Sequence, residues 1–146
     1  MKMSRAVLAV CLAIGLSGAA WGSTPATGLG QAWPNASDMS LSPNFHAYVF
    51  RIGGIQYIQV NDVNGNVLGA VGNAAGQFIV LPVGKFAQLV STPQQTATTT
   101  ATPAAAPTTV YNDGTTAVTA TPMSDGTMTL STSAVCDPIE CNNKGA

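Results

Sequence analysis

Between Phe45 and Val83 strand-forming residues and glycine turns alternate closely enough to leave one kind of fold open, a small antiparallel meander. Phe45–Ile52 (FHAYVFRI) is aromatic and β-branched, and Gly53-Gly54 after it reads as a two-residue hairpin turn, a conformation that requires positive φ. Ile55–Asp62 (IQYIQVND) is the second strand, and Asn64-Gly65 reads as a further type I′ turn. Val67–Gly72 and Gln77–Val83 complete the set, with a loop over 73–76. A two-residue first turn fixes the register. It pairs Phe50 with Tyr57, Val49 with Ile58, Tyr48 with Gln59 and Ala47 with Val60. One face then carries Phe45, Ala47, Val49, Ile58, Val60, Val67 and Val71, the expected core. The other carries His46, Tyr48, Phe50, Ile52, Ile55, Tyr57 and Gln59, aromatic and half polar.

Four short strands bury too little apolar surface to stand alone. Cover for a face is expected from Lys85–Val90 (KFAQLV, one helical turn), from the C-terminal block or from a second copy of the chain. Ser91–Pro107 is almost wholly Thr, Ala and Pro, without charge or aromatic residue, and is expected to be an extended, flexible linker. Beyond it, Asn112-Asp113-Gly114-Thr115-Thr116 recurs as Ser124-Asp125-Gly126-Thr127-Met128, each copy followed by alternating Thr and apolar residues. That pattern predicts one or two hairpins, either joined to the first sheet or forming a ribbon of their own. The organisation expected is therefore mainly β: a lead over 23–44 that is rich in Ser, Pro, Gly and Asn and loosely ordered, a β module over 45–90, a linker over 91–107 and a Thr-rich module over 108–146.

The N-terminus gives the compartment. Lys2 and Arg5 precede an apolar run, Ala6–Leu16, that has the length of a signal-peptide core and is too short to cross a bilayer. Small residues follow, so residues 1–22 are read as a signal peptide cut after Ala19, Ala20 or Gly22. The expected destination is the periplasm or the extracellular space, with a Gram-negative envelope as the favoured setting. No stable membrane anchor is expected to remain. From Ser23 onward three cations (Arg51, Lys85, Lys144) stand against six carboxylates, a net charge of −3, so nucleic acid is not an expected partner. The two remaining cysteines, Cys136 and Cys141, read as a disulfide that closes a short tail loop.

Few residues could carry chemistry. Asp62-Val63-Asn64-Gly65-Asn66 opens like a calcium loop, but Val67 and Asn73 stand where Gly and Glu are needed, so it reads as a turn. His46 is the sole histidine, and its register partner is Asn61 rather than Asp62. No catalytic motif accompanies it, and neither a cofactor nor a metal is expected. The stripe His46, Tyr48, Phe50, Tyr57 and Gln59 is the candidate binding face, able to stack sugar rings or receive a protein unless the C-terminal block covers it. The expectation is a non-catalytic exported module that binds an envelope or extracellular protein or glycan. Self-assembly at the cell surface is the alternative, because Ile55–Val60 and Phe78–Leu81 are β-rich and uncharged. A small hydrolase built on His46 comes last.

Overall fold

A computed structural model describes residues 25–135; the expected signal peptide and the Cys136–Cys141 pair lie outside the described residues. Strands β1 (Ser37–Asp38), β2 (Phe45–Ile52), β3 (Ile55–Asp62), β4 (Val67–Ala74) and β5 (Gln77–Val80) form one antiparallel sheet in sequential order. A second sheet has the order β6-β9-β8-β7, from β6 (Val90–Ser91), β7 (Thr108–Asn112), β8 (Thr116–Pro122) and β9 (Met128–Ala134). Within it β6 runs parallel to β9, and the other neighbours are antiparallel. The protein is thus mainly β, a meander followed by two hairpins.

The first hairpin has the expected register throughout, from Ile52 opposite Ile55 to His46 opposite Asn61. Gly53 and Gly54 both take positive φ, as the turn demands. The next turn differs from the type I′ reading. Asn64 stays out of the left-handed region and only Gly65 enters it, at φ 84°. Gly65 N–H donates to Asp62 O, and Asp62 N–H to Asn66 O, the pattern of a type I turn closed by a glycine bulge. The Asp62 carboxylate explains the choice, since it accepts from Asn64 N, Asn66 N and the Asn66 amide and so holds the loop in an Asx-type turn. Further along, Leu68 is the extra residue between the pairs Val60–Gly69 and Asn61–Val67, so the β3–β4 register shifts there and Leu68 joins the core.

β4 extends to Ala74, two residues beyond the expected end, because Ala75 and Gly76 suffice to turn the chain. Ala75 sits at φ 50°, the one non-glycine residue with positive φ among those described. A left-handed alanine costs roughly 1–2 kcal/mol, a penalty that asparagine largely escapes. Ala75→Asn is therefore expected to raise stability by about 0.5–1 kcal/mol, read as a higher urea midpoint at unchanged slope. A lower midpoint would contradict this turn geometry.

The two sheets pack face to face around one core. Ala47, Ile58, Val60, Leu68 and Val71 from the first meet Val90, Val110, Tyr111, Val118, Ala120 and Leu130 from the second. Burying each of the larger members stabilises the fold by roughly 1.5–3 kcal/mol. Among the candidates for cover, the C-terminal block therefore takes the face that carries Ala47, Ile58 and Val60. Asn73 Nδ2 also donates across the interface to the buried Thr116 hydroxyl, at 2.7 Å.

The segment between the blocks is extended and tied down. Ala104 N–H donates to Pro122 O and Ser124 N–H to Thr102 O, and the Gln94 side chain accepts from Phe78 N and donates to Gly76 O along β5. The internal repeat has a physical basis. Asp113 and Asp125 each accept, through Oδ1, both the N–H and the hydroxyl of the threonine two residues on, which shapes the two turns alike.

Candidate functional site

The largest departure from the sequence reading lies on the outer face of the first sheet. The lead, expected to be loose, is bonded across that face by two buried amides of β3. Gln59 accepts from Gly30 N at 2.6 Å and donates to Gln31 O at 2.8 Å, and Asn61 donates to Ala32 O at 2.7 Å. Gln59 also donates to Asn61 Oδ1 at 2.9 Å. The face is thus covered, but by the lead rather than by the C-terminal block. The lead also places a tryptophan. The Trp33 ring lies against the Gly65 backbone so closely that a Cβ there would meet ring atoms at 2.6–2.9 Å. Trp33 nonetheless remains 60 % exposed.

Trp33 meets His46 edge-on, with ring centroids 5.5 Å apart, and His46 stacks on Tyr48 at 5.8 Å and 17°. His46 in turn is held by β1. Its Nδ1 lies 2.7 Å from Asp38 Oδ2, while Asp38 Oδ1 accepts from Ala47 N and Ser40 N. Burial opposes ionisation of Asp38, but the His46 bond and the backbone donors outweigh it and hold the carboxyl below its ordinary range. An ionised carboxylate can only accept, so His46 donates from Nδ1 and leaves Nε2 free. Burial, reinforced by the Asp38 charge, pushes Tyr48 upward and keeps it neutral.

Of the five residues of the candidate face, Phe50 and Gln59 are fully buried and Tyr48 nearly so, and the lead is bonded to Gln59 among them. His46 and Tyr57 stay partly accessible, and only His46 belongs to the aromatic patch. Tyr57 lies beside Gly72 and Ile55, nearer the other end of the strand. No protein-family model, curated protein or solved structure matches the chain. The patch therefore has to be interpreted from its own chemistry. The pairing of His46 with Asp38 resembles part of a hydrolytic triad, but no hydroxyl or thiol among the described residues bonds to Nε2. As for the calcium-loop alternative, the Asp62 carboxylate is already engaged by three N–H donors of its own turn, and no group of three or more His, Cys, Asp or Glu side chains occurs among the described residues.

Two residues of the patch, Trp33 and Asp38, were missed because they fall in a segment without periodicity. A two-residue strand such as β1 has no sequence signature. The one available signal was Trp33 itself, a large aromatic residue in an otherwise small and polar stretch.

Proposed function

We propose that this protein is a non-catalytic exported binding module that presents Trp33, flanked by His46, to a sugar ring of an envelope or extracellular glycan. The observation that carries this reading is the seating of Trp33. A tryptophan braced against a glycine backbone and still 60 % exposed is a preformed stacking platform, with little conformational entropy left to lose on binding. His46 beside it offers a ring nitrogen for a hydroxyl. The self-assembly alternative draws less support, because the sheet edges are short or capped. β1 and β6 have two residues each, Gln94 caps β5, and Leu41 N–H donates to Val110 O on β7.

From Ser23 onward Trp33 is the sole tryptophan, so its fluorescence reports on the platform directly. Titration of the exported protein with a panel of neutral and amino-sugar oligosaccharides is expected to shift Trp33 emission saturably for at least one. Calorimetry with that sugar is expected to show Trp33→Ala binding at least ~10-fold more weakly, as loss of one stacking contact implies, with Trp33→Phe in between. If no oligosaccharide perturbs Trp33, or if Trp33→Ala binds as well as the parent, the reading fails.

A further inference from the structure

A concavity opens on the side of the sandwich where β2 lies next to β7. It has a volume of about 800 Å³, and its walls mix Pro25, Met39 and Val49 with Arg51, Tyr111 and Asp113. Val49 and Arg51 point to the core side of β2, and the second sheet leaves both within reach of solvent. Arg51 also borders a smaller cleft of about 380 Å³, lined by Gln56, Asn73 and Thr115 among others. Arg51 thus lines both hollows.

What singles out Arg51 is the state of the carboxylate that lines the same hollow. Asp113 is satisfied from within by five donors. Oδ1 accepts from Thr115 N, the Thr115 hydroxyl and Thr116 N, and Oδ2 accepts from the Tyr111 hydroxyl at 2.9 Å and Gln56 Nε2 at 3.2 Å. Burial opposes its ionisation, yet the donors prevail and hold the carboxyl far below its ordinary range. Tyr111, pushed up to about 12 by burial and by Asp113, keeps its proton and its bond. The network is closed, and the one ion pair among the described residues is His46 with Asp38, on another part of the molecule. Arg51 is left charged, exposed and without a carboxylate partner among those residues, beside a wall where Met39 is 55 % exposed.

We propose that this cleft binds a small carboxylate-bearing ligand with an apolar body, the carboxylate on Arg51 and the apolar part along Met39, Val49 and Pro25. A guanidinium recognises a carboxylate through two parallel N–H donors, and the methyl-rich wall adds affinity in proportion to the surface it covers. Asp113, whose donors are its own, positions Tyr111 and Gln56 and does not compete for Arg51. The site is independent of the Trp33 platform.

Hexanoate is a suitable probe, with 1-hexanol and hexylammonium as controls of equal apolar body. In heteronuclear NMR titrations of the full exported chain, hexanoate is expected to shift the Arg51 Nε–H and the Val49 methyls saturably. It is expected to bind at least ~10-fold more tightly than 1-hexanol, with hexylammonium weakest. Arg51→Gln is expected to abolish the preference for hexanoate while 1-hexanol binding survives, which shows that the cleft is still formed. Trp33→Ala is expected to leave all three titrations unchanged. Equal binding of hexanoate and 1-hexanol, or a preference that persists in Arg51→Gln, would overturn the proposal.

Discussion

Replacing Gly84 by alanine is expected to destabilise the fold by about 2–5 kcal/mol, which is a large part of the stability of a domain this size. Two independent penalties combine there. Gly84 has φ 101°, a conformation that an L side chain adopts only under strain. Its missing Cβ would also lie 2.6–2.7 Å from the carbonyl group of Leu68 and from Gly69 N, and those backbone atoms cannot swing aside. The approach is close because the chain leaves β5 and continues along β4, with Leu81 N–H donating to Ala70 O, Lys85 N–H to Val67 O and Phe86 N–H to Leu68 O. Gly84 is the jog that allows those bonds on either side of it. Beyond it come Phe86, packed on the core, a 3-10 turn (Ala87–Leu89) and β6, which joins the second sheet. The substitution therefore strikes the crossover between the sheets rather than a surface loop. Chemical denaturation of Gly84→Ala against Gly76→Ala separates the two penalties, since Gly76 also has positive φ but has open space where a Cβ would go. If both variants lose the same stability, backbone strain alone is at work and the close approach to Leu68 is refuted.

The strands of the first sheet could be read from the sequence because short-range rules decide them. A two-glycine turn fixes a register, and the register fixes the faces. Asn64-Gly65 misled because two turn types accept that dipeptide, and the Asp62 carboxylate, not the backbone preference, chose between them. The hairpins of the second sheet were equally readable from Asp-Gly followed by alternating residues. Their partnership with the first sheet was not, because it depends on which apolar faces find each other across the unpatterned stretch 92–107. The candidate site was least legible. His46 was placed correctly opposite Asn61, but its acid, Asp38, and its aromatic neighbour, Trp33, sit in a segment without periodicity, where β1 has only two residues and the rest is held largely by bonds to β3. In the sequence Gln59 lay on the aromatic, half-polar face that was either a binding surface or covered by the C-terminal block, and Asn61 entered only as the partner of His46. Their actual role is to supply, from inside the sheet, the donors and acceptors that a chain without regular structure needs.

That role leads to the second large effect. Gln59→Leu nearly preserves volume but removes every bond the amide makes. Gly30 N–H and Gln31 O, on exposed residues of the lead, then lose their partner in the sheet, and the buried Asn61 Oδ1 loses its donor. A buried polar group left unpaired costs about 1–3 kcal/mol, and the folded chain has a way to avoid part of that cost. The lead can lift off and return its backbone to water, exposing the outer face of β3. The expected result is a loss of about 1–3 kcal/mol in global stability, shared between the unpaired Asn61 Oδ1 in the closed state and release of the lead. Amide hydrogen exchange tells release from general weakening. Protection is expected to fall first and furthest at Gly30 and Gln31, while Ile58 and Leu130 in the core change only by the global amount. Trp33 emission is expected to shift to the red, because the tryptophan no longer rests on Gly65 once its segment is free. Sugar binding through Trp33 is then expected to weaken in a chain whose β-sandwich remains folded. Uniform loss of protection over both sheets, with Trp33 emission unchanged, would show that Gln59 supports the core in general and does not hold the lead in place.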